Sequence, residues 1–138
     1  MDETFASDEK LYRGLHAIWI EVDDSVSSAA FKDSGGVSVD RDGGREEQNC
    51  IDRMVGALPN IIGIGRLTCG EVEDCGAIPK YLPVEGNEFH SEIHDSAEQV
   101  QIKSRSKSRK LASKCQIVYN KNEQKKNLTL KDEALATE

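Results

Sequence analysis

Apolar and polar residues alternate along two short stretches of the chain, residues 37–40 and residues 87–96. Successive side chains of a β-strand point to opposite faces of a sheet, so an alternation with a period of two predicts a strand in each stretch. In the first stretch Val37 and Val39 face one way, and Ser38 and Asp40 face the other. In the second stretch Phe89, Ser91 and Ile93 lie opposite His90, Glu92 and His94.

The clearest helical pattern lies in residues 45–58, whose apolar side chains recur at the spacing of an α-helix. This stripe consists of Cys50, Ile51, Met54, Val55 and Leu58. It predicts a helix that packs its apolar side on a sheet face, with Asp42 available upstream as a cap and Pro59 ending the helix. A second helix with fewer apolar contacts is predicted over residues 98–114.

Residues 11–22, 61–76 and 116–119 are rich in β-forming residues and are each predicted to contain a strand. In the first of these stretches the prediction is strongest for the second half, which contains Ile18, Trp19, Ile20 and Val22. The chain has no internal repeat and no regular alternation of strands with helices. The predicted fold is therefore α+β, with about five short strands in a mostly antiparallel sheet and two helices, one of them packed on a sheet face.

A chain of 138 residues has room for one hydrophobic core. Residues 11–120 are predicted to form a single α+β domain. Residues 1–10 are polar and acidic, and residues 121–138 are charged with weak periodicity. Both ends are therefore predicted to be mobile.

The formal net charge of −7 is distributed unevenly along the chain. Residues 1–100 carry a large acidic excess, whereas residues 101–114 contain basic residues and no acidic one. An acidic body repels a phosphate backbone, so nucleic acid is disfavoured as a partner except for weak contact with the basic stretch. The residues for that contact are Lys103, Arg105, Lys107, Arg109 and Lys110. In the alternative interpretation the basic helix docks against the acidic body of the same chain.

No stretch approaches the roughly 20 apolar residues that span a bilayer, so no membrane attachment is expected. The acidic N-terminal residues lack the basic segment and apolar run of a secretion signal. A cytoplasmic location is therefore predicted. In that compartment the cysteines are interpreted as reduced, mostly buried thiols. They are Cys50, Cys69, Cys75 and Cys115.

Two sets of potential metal ligands occur, and neither predicts a site. His90 and His94 are four residues apart, so on a strand they share one face but lie about 13 Å apart, too far to bind the same ion. Cys69 and Cys75 could bind zinc together with a histidine, but five intervening residues exceed the usual spacing of a zinc-binding pair. The prediction is therefore no metal and no cofactor.

Glycine pairs flank the strand of residues 37–40, and the backbone freedom of glycine lets short polar side chains gather beside a ligand. This pattern predicts a binding or accessory domain whose partner is a small anionic ligand or a protein. The predicted ligand-binding residues are Ser27, Ser28, Lys32, Ser38, Arg41 and His90. In the alternative interpretation the serines satisfy turn backbone, and Asp40 pairs with Arg41 or caps the following loop.

The alternative function is a small enzyme, a transferase or hydrolase acting on a nucleotide-like substrate. Its candidate catalytic residues are Arg13, Ser38, Asp40, His90 and Glu92. An enzyme requires Arg13, Asp40 and His90 to converge within about 6 to 8 Å in one concave pocket, because catalytic groups must reach a shared substrate. A binding module instead predicts a flat exposed patch.

The order of Arg13, Ser38 and a Glu-x-Glu pair at Glu71 and Glu73 is similar to that of one class of ADP-ribosyltransferases. In such an enzyme the arginine would hold the phosphates of a dinucleotide and the last glutamate would orient the ribose and the nucleophile.

Three strings together resemble a group of small bacterial proteins to which we can assign no activity. They are SSAAFK at 27–32, GVSVDR at 36–41 and FHSEIHDS at 89–96. The resemblance covers about 85 residues in the middle of the chain, and it implies a shared compact fold but no reaction.

Overall fold

The computed structural model of the chain describes residues 1–123, which form one sheet with helices on both faces. The strands are β1 (Lys10–Leu15), β2 (Val37–Arg41), β3 (Gly63–Thr68), β4 (Ile78–Tyr81), β5 (His90–His94) and β6 (Gln116–Asn120). The helices are α1 (Glu47–Ala57), α2 (Cys69–Asp74), α3 (Arg105–Lys114) and two 3-10 helices at Ala17–Trp19 and Ser28–Phe31. The predicted α+β class is confirmed, with more strands and helices than expected. The predicted C-terminal tail falls mainly on residues 124–138, outside the described residues.

All six strands pair antiparallel, in the order β4-β5-β2-β1-β3-β6. The pairing of β2 with β5 places Asp40 opposite His90 and Ser38 opposite Glu92. Side chains directly opposite each other in an antiparallel pair point to the same face of the sheet. The polar residues that alternate along the two strands therefore share one face.

One face of the sheet, called here the α3 face, is covered by α2, α3 and the 3-10 helix Ser28–Phe31. Its apolar cluster joins alternate strand residues to side chains of these helices. Among the residues with at most 1% exposure are Leu11, Phe31, Val37, Leu67, Val72, Ile93 and Leu111. Burial of this continuous apolar surface is the main contribution to the stability of the fold.

The opposite face, called here the α1 face, is covered by α1 over β1 and β3. The smaller apolar cluster there consists of Tyr12, Cys50, Ile51, Met54, Ile61 and Ile64. The predicted helix of residues 45–58 is confirmed as α1, and its apolar stripe contributes three of these side chains. On β2 and β5 the α1 face carries polar residues instead, and Ser38 is exposed. We call this polar part of the α1 face the open half.

The strand predicted over residues 11–22 ends at Leu15, and the prediction is wrong for its second half. The chain instead forms a 3-10 helix at Ala17–Trp19, and the Trp19 carbonyl accepts a hydrogen bond from the Ser27 amide. Ile18 is 83% exposed. The β-forming preference of these residues is overridden by tertiary packing, since Trp19 packs against the apolar cluster of the α3 face.

Two other boundaries also differ from the prediction. The stretch 61–76 contains a strand followed directly by α2, whose start is fixed by a capping box in which Thr68 and Glu71 bond each other's backbone amides. α3 begins at Arg105 rather than residue 98, because Ser104 caps it by accepting from the Lys107 amide. Strand β4 was not predicted.

The N-terminal residues lie against the edge of the α3 face. Arg41 donates hydrogen bonds to the carbonyl oxygens of Asp2 and Thr4 and forms a bidentate pair with Glu9, both contacts at 2.7 Å. Phe5 lies 4.2 Å from the Arg41 guanidinium, measured to the ring centroid. Mobility of residues 1–10 stays a prediction.

All four cysteines are buried as free thiols, in agreement with the sequence interpretation. Burial raises the pKa of Cys69 and of Cys115 from the ordinary 9.0 to about 12. These two side chains therefore behave as small apolar core residues at neutral pH. Within residues 1–123, none of the helices has the length and apolar composition needed to cross a bilayer.

Candidate functional site

A cavity of about 410 Å³ lies between the C-terminal end of α1 and the open half of the sheet. One wall is apolar and comes from the end of α1 and the loop that follows it. Its residues are Met54, Ala57, Leu58, Pro59 and Ile61. The other wall is polar and comes from β2, β5, the loop before β5 and the side of α1. Its residues include Ser38, Asp40, Arg53, Asn87 and His90.

The cavity exists because β1 and β2 separate after two residue pairs. Their pairing ends at Tyr12 opposite Asp40, so the next residues of the two strands are not bonded to each other. Gly14 lies in this gap, and a Cβ atom there would be 2.9 Å from Ile61 Cγ2 and 3.3 Å from Leu58 Cδ1. The absence of a side chain at Gly14 thus lets the end of α1 approach the sheet.

Asp40 is the buried acidic group of the polar wall, with 7% exposure. Its Oδ1 accepts a hydrogen bond from Asn87 Nδ2 at 2.9 Å, and its Oδ2 lies 3.4 Å from Arg53 Nη1. Arg53 also donates to the carbonyl oxygen of Gly86 at 2.7 Å. Asp40 therefore anchors the loop before β5 and the side of α1 to the sheet, whereas Arg41 pairs with Glu9 and not with Asp40.

His90 bridges β4 and β2 through its two ring nitrogens. Its Nδ1 lies 2.8 Å from the carbonyl oxygen of Leu82, and its Nε2 lies 3.4 Å from Ser38 Oγ. The side chain is half-buried, whereas Ser38 is exposed to the cavity. A serine hydroxyl and an imidazole nitrogen therefore meet at the surface of the polar wall.

Arg13 lines the far end of the cavity and is 6% exposed. It donates from Nε to the Ala30 carbonyl at 3.1 Å, from Nη1 to the Ser38 carbonyl at 2.9 Å and from Nη2 to Asp33 at 3.0 Å. Burial lowers the pKa of the Arg13 guanidinium, and the nearby Asp33 carboxylate opposes that shift. The guanidinium also stacks 4.7 Å from the Trp19 ring centroid. Arg13 thus fills the gap between β1 and β2.

The structure brings together Arg13, Ser38, Asp40 and His90, which line one concave cavity. Among the candidate catalytic residues, Glu92 is the exception. It shares the face of Ser38 and His90, but its Oε1 bonds His94 Nε2 at 2.8 Å and it does not line the cavity. Arg13, Asp40 and His90 thus line the same cavity, and the enzyme interpretation stays a prediction.

Four predicted ligand-binding residues do not join this cavity. Ser27 and Ser28 line a separate depression beside Arg109, and Ser27 accepts from the Ala29 amide to cap the 3-10 helix. Lys32 is exposed at the end of that helix. Arg41 lies on the α3 face because it alternates with Asp40 along β2.

The two glutamates of the ADP-ribosyltransferase resemblance also lie outside the cavity lining. Glu71 instead accepts from the Thr68 amide at 2.9 Å in the capping box of α2. Within residues 1–123, no three histidine, cysteine or acidic side chains are grouped as metal ligands.

The basic stretch forms most of α3, and one of its side chains contacts the body of the chain. Lys107 Nζ lies 2.8 Å from Asp95 Oδ1. The remaining residues of the predicted nucleic-acid contact are exposed: Lys103, Arg105, Arg109 and Lys110. Lys107 therefore contributes to the docking of α3 on the body of the same chain. Contact of the four exposed basic residues with nucleic acid stays a prediction.

Arg53, Asn87 and Trp19 line the cavity but were not singled out from the sequence. Arg53 reaches the site from α1. The apolar stripe of this helix predicts which side packs on the sheet but not what the polar side chains of the helix contact. Asn87 lies in the loop before β5, and its polar turn-forming character could have marked it as a partner for the adjacent strand.

No protein-family model, no curated protein and no solved structure matches the chain. The chemistry of the cavity therefore rests on its own geometry, which combines an apolar wall with hydrogen-bonding and charged groups.

Proposed function

We propose that the chain is a small-molecule-binding domain whose ligand occupies the cavity between α1 and the open half of the sheet. The supporting observation is that an apolar wall containing Met54 and Leu58 faces a polar wall containing Ser38, Asp40 and His90. A volume of about 410 Å³ lies within the range of sites for small organic ligands. The ligand has an apolar body for the first wall and a polar head for the second.

An anionic head group fits the arginine of the polar wall. A guanidinium carries five N–H donors, and Arg53 directs two of them to Asp40 and to the Gly86 carbonyl. The remaining donors allow Arg53 to bind a carboxylate while it keeps its structural contacts. The anionic ligand expected from the sequence is therefore proposed here with Arg53 in place of Lys32 and Arg41.

The test is a thermal-shift titration with three probes. Hexanoate has both the apolar body and the anionic head group, acetate has only the head group, and hexan-1-ol has the apolar body without the charge. At ten times its dissociation constant a ligand adds about 1.4 kcal/mol to stability. For a domain of this size that corresponds to a rise in Tm of about 3 to 6 °C. We expect this rise with hexanoate and smaller rises with the other two probes at equal concentration.

Two apolar residues of α1 with similar exposure provide matched variants. Leu58 lines the cavity and is 43% exposed, whereas Val55 is 39% exposed and does not line it. Leu58→Glu should abolish the hexanoate shift, because the new carboxylate repels the probe and removes apolar contact. Val55→Glu should retain the shift. A response to acetate equal to that of hexanoate, or the same response in both variants, would contradict the proposal.

A further inference from the structure

The cavity contains an oriented serine and histidine pair. In the sheet, Ser38 on β2 lies diagonally opposite His90 on β5, since Ser38 faces Glu92 and Asp40 faces His90. Diagonal neighbours on one face are within reach of long side chains, and the His90 ring closes the distance to 3.4 Å between Nε2 and Ser38 Oγ. Hydrogen bonds of this kind are often long in the absence of substrate.

The second ring nitrogen of His90 fixes the direction of this contact. A carbonyl oxygen accepts but cannot donate, so the 2.8 Å contact with the Leu82 carbonyl requires the proton to reside on Nδ1. In the neutral ring Nε2 then carries a lone pair, and the Ser38 hydroxyl donates to it. The Leu82 carbonyl thus orients the imidazole as the third member of a nucleophile, base and orienting group arrangement.

The backbone around this pair is held in place from both sides. The Leu82 amide donates to the His90 carbonyl, which ties the backbone of the histidine to the residue that orients its ring. The Ser38 carbonyl accepts from Arg13 Nη1, so the peptide of the serine is tied to a buried guanidinium. Arg53 lines the same cavity, and it keeps N–H donors beyond those bound to Asp40 and the Gly86 carbonyl.

We propose that the chain hydrolyses carboxylic esters with a short apolar acyl group, with Ser38 as nucleophile and His90 as general base and acid. This inference rests on the proposed function, because it assigns the acyl chain to the apolar wall and the carbonyl to the polar wall. The carboxylate product has the same chemistry as the ligand proposed above.

The reaction has two steps that balance without a cofactor. Ser38 Oγ bonds to the ester carbonyl carbon while its proton passes to His90 Nε2, and the alcohol leaves with that proton as its C–O bond breaks. Water then attacks the acyl group on Ser38, again losing its proton to Nε2. His90 returns that proton to Ser38 Oγ as the carboxylic acid is released.

The experiment combines labelling with hydrolysis, using the full chain. Diisopropyl fluorophosphate should transfer one diisopropylphosphoryl group to the peptide containing Ser38, with release of fluoride, as seen by mass spectrometry. For p-nitrophenyl butyrate, Ser38→Ala and His90→Gln should each lower kcat/KM by about 100-fold or more, the usual contribution of a positioned base.

Matched variants outside the cavity lining serve as controls. Ser34→Ala removes an exposed serine of the turn before β2, and His94→Gln changes a histidine on the same face of β5 while keeping a donor for Glu92. Both should keep the kcat/KM of the unmodified chain. Because Ser38 is exposed, Ser38→Ala should leave Tm unchanged. A loss of activity at unchanged Tm is then not caused by unfolding.

An adduct on another residue, no adduct, or equal hydrolysis by Ser38→Ala would overturn the esterase. If hexanoate still raises Tm in that case, the cavity binds its ligand without reacting. If hexanoate gives no shift while Ser38 is labelled, the proposed ligand chemistry is wrong and the serine and histidine pair stands.

Discussion

The α3 face and the α1 face of the same sheet differ in how completely they are covered. On the α3 face two helices and a 3-10 helix bury a continuous apolar cluster that extends across the strands. On the α1 face a single helix buries a smaller cluster over β1 and β3. The open half on β2 and β5 is left to Ser38, Asp40, His90 and Glu92.

This difference separates the core residues that stabilise the fold from the polar residues of the proposed site within one set of strands. Because side chains alternate along β2, each core residue of the α3 face is followed by a residue of the open half. Val37 and Val39 fix the strand to the core, and the strand geometry then fixes the positions of Ser38 and Asp40 on the opposite face. A rigid strand is a better support for reacting groups than a mobile loop.

The largest expected effect comes from deleting a side chain of the α3 face. Phe31 is fully buried, so Phe31→Ala should lower the free energy of unfolding by about 3 to 5 kcal/mol through lost burial and a cavity. The measurement is urea denaturation with Leu58→Ala as the comparison. Leu58 lines the cavity half-exposed, and its truncation should cost about 1 kcal/mol or less. Equal costs for the two variants would mean that the faces do not differ as described.

The second expected effect concerns the buried ion pair at the edge of the α3 face. The side chains of Arg41 and Glu9 are 4% and 11% exposed, so Glu9→Ala leaves a buried guanidinium without its carboxylate and should cost about 3 kcal/mol. Lys107→Ala breaks a more exposed pair with Asp95 and should cost about 1 kcal/mol. If both variants cost the same, Glu9 does not hold Arg41 in solution, which would favour the predicted mobility of residues 1–10.

Periodicity predicted the parts of the fold in which local pattern and packing agree. The apolar stripe of α1 and the alternation in β2 and β5 each had one consistent period, and each element was found. Residues 17–22 were assigned to a strand because Ile18 and Val22 favour extended backbone, but their fold depends on Trp19 reaching a distant cluster. Such a contact has no local signature.

The candidate site was predicted in part. Ser38, Asp40 and His90 were singled out as short polar or chargeable residues near glycine-permitted bends, and strand pairing brings them to one face. The sequence carries no information on where Ser27 lies relative to these strands. Arg41 was grouped with them although alternation along β2 places it on the face opposite Asp40. Arg53 and the Leu82 carbonyl enter the site through tertiary packing, and a backbone carbonyl cannot be recognised as a functional group from residue type.

The smallest expected change in stability comes from Ser38→Ala, and its comparison with Ser91→Ala tests the difference between the two faces directly. Ser38 and Ser91 are serines on neighbouring strands, but Ser38 is exposed on the open half, whereas Ser91 is fully buried on the α3 face and donates to the Phe89 carbonyl at 3.2 Å. Ser91→Ala should cost about 1 kcal/mol in urea denaturation, because a buried hydrogen bond is lost. Ser38→Ala should change stability by about 0.5 kcal/mol or less.

The same two variants should rank in the opposite order for labelling by diisopropyl fluorophosphate, which Ser38→Ala abolishes and Ser91→Ala preserves. That order would show that Ser38, held by strand pairing beside His90, serves the proposed chemistry rather than the stability of the fold. If Ser38→Ala were as destabilising as Ser91→Ala, the hydrogen bond between Ser38 and His90 would serve to stabilise the fold. The open half would then contribute to stability like the α3 face.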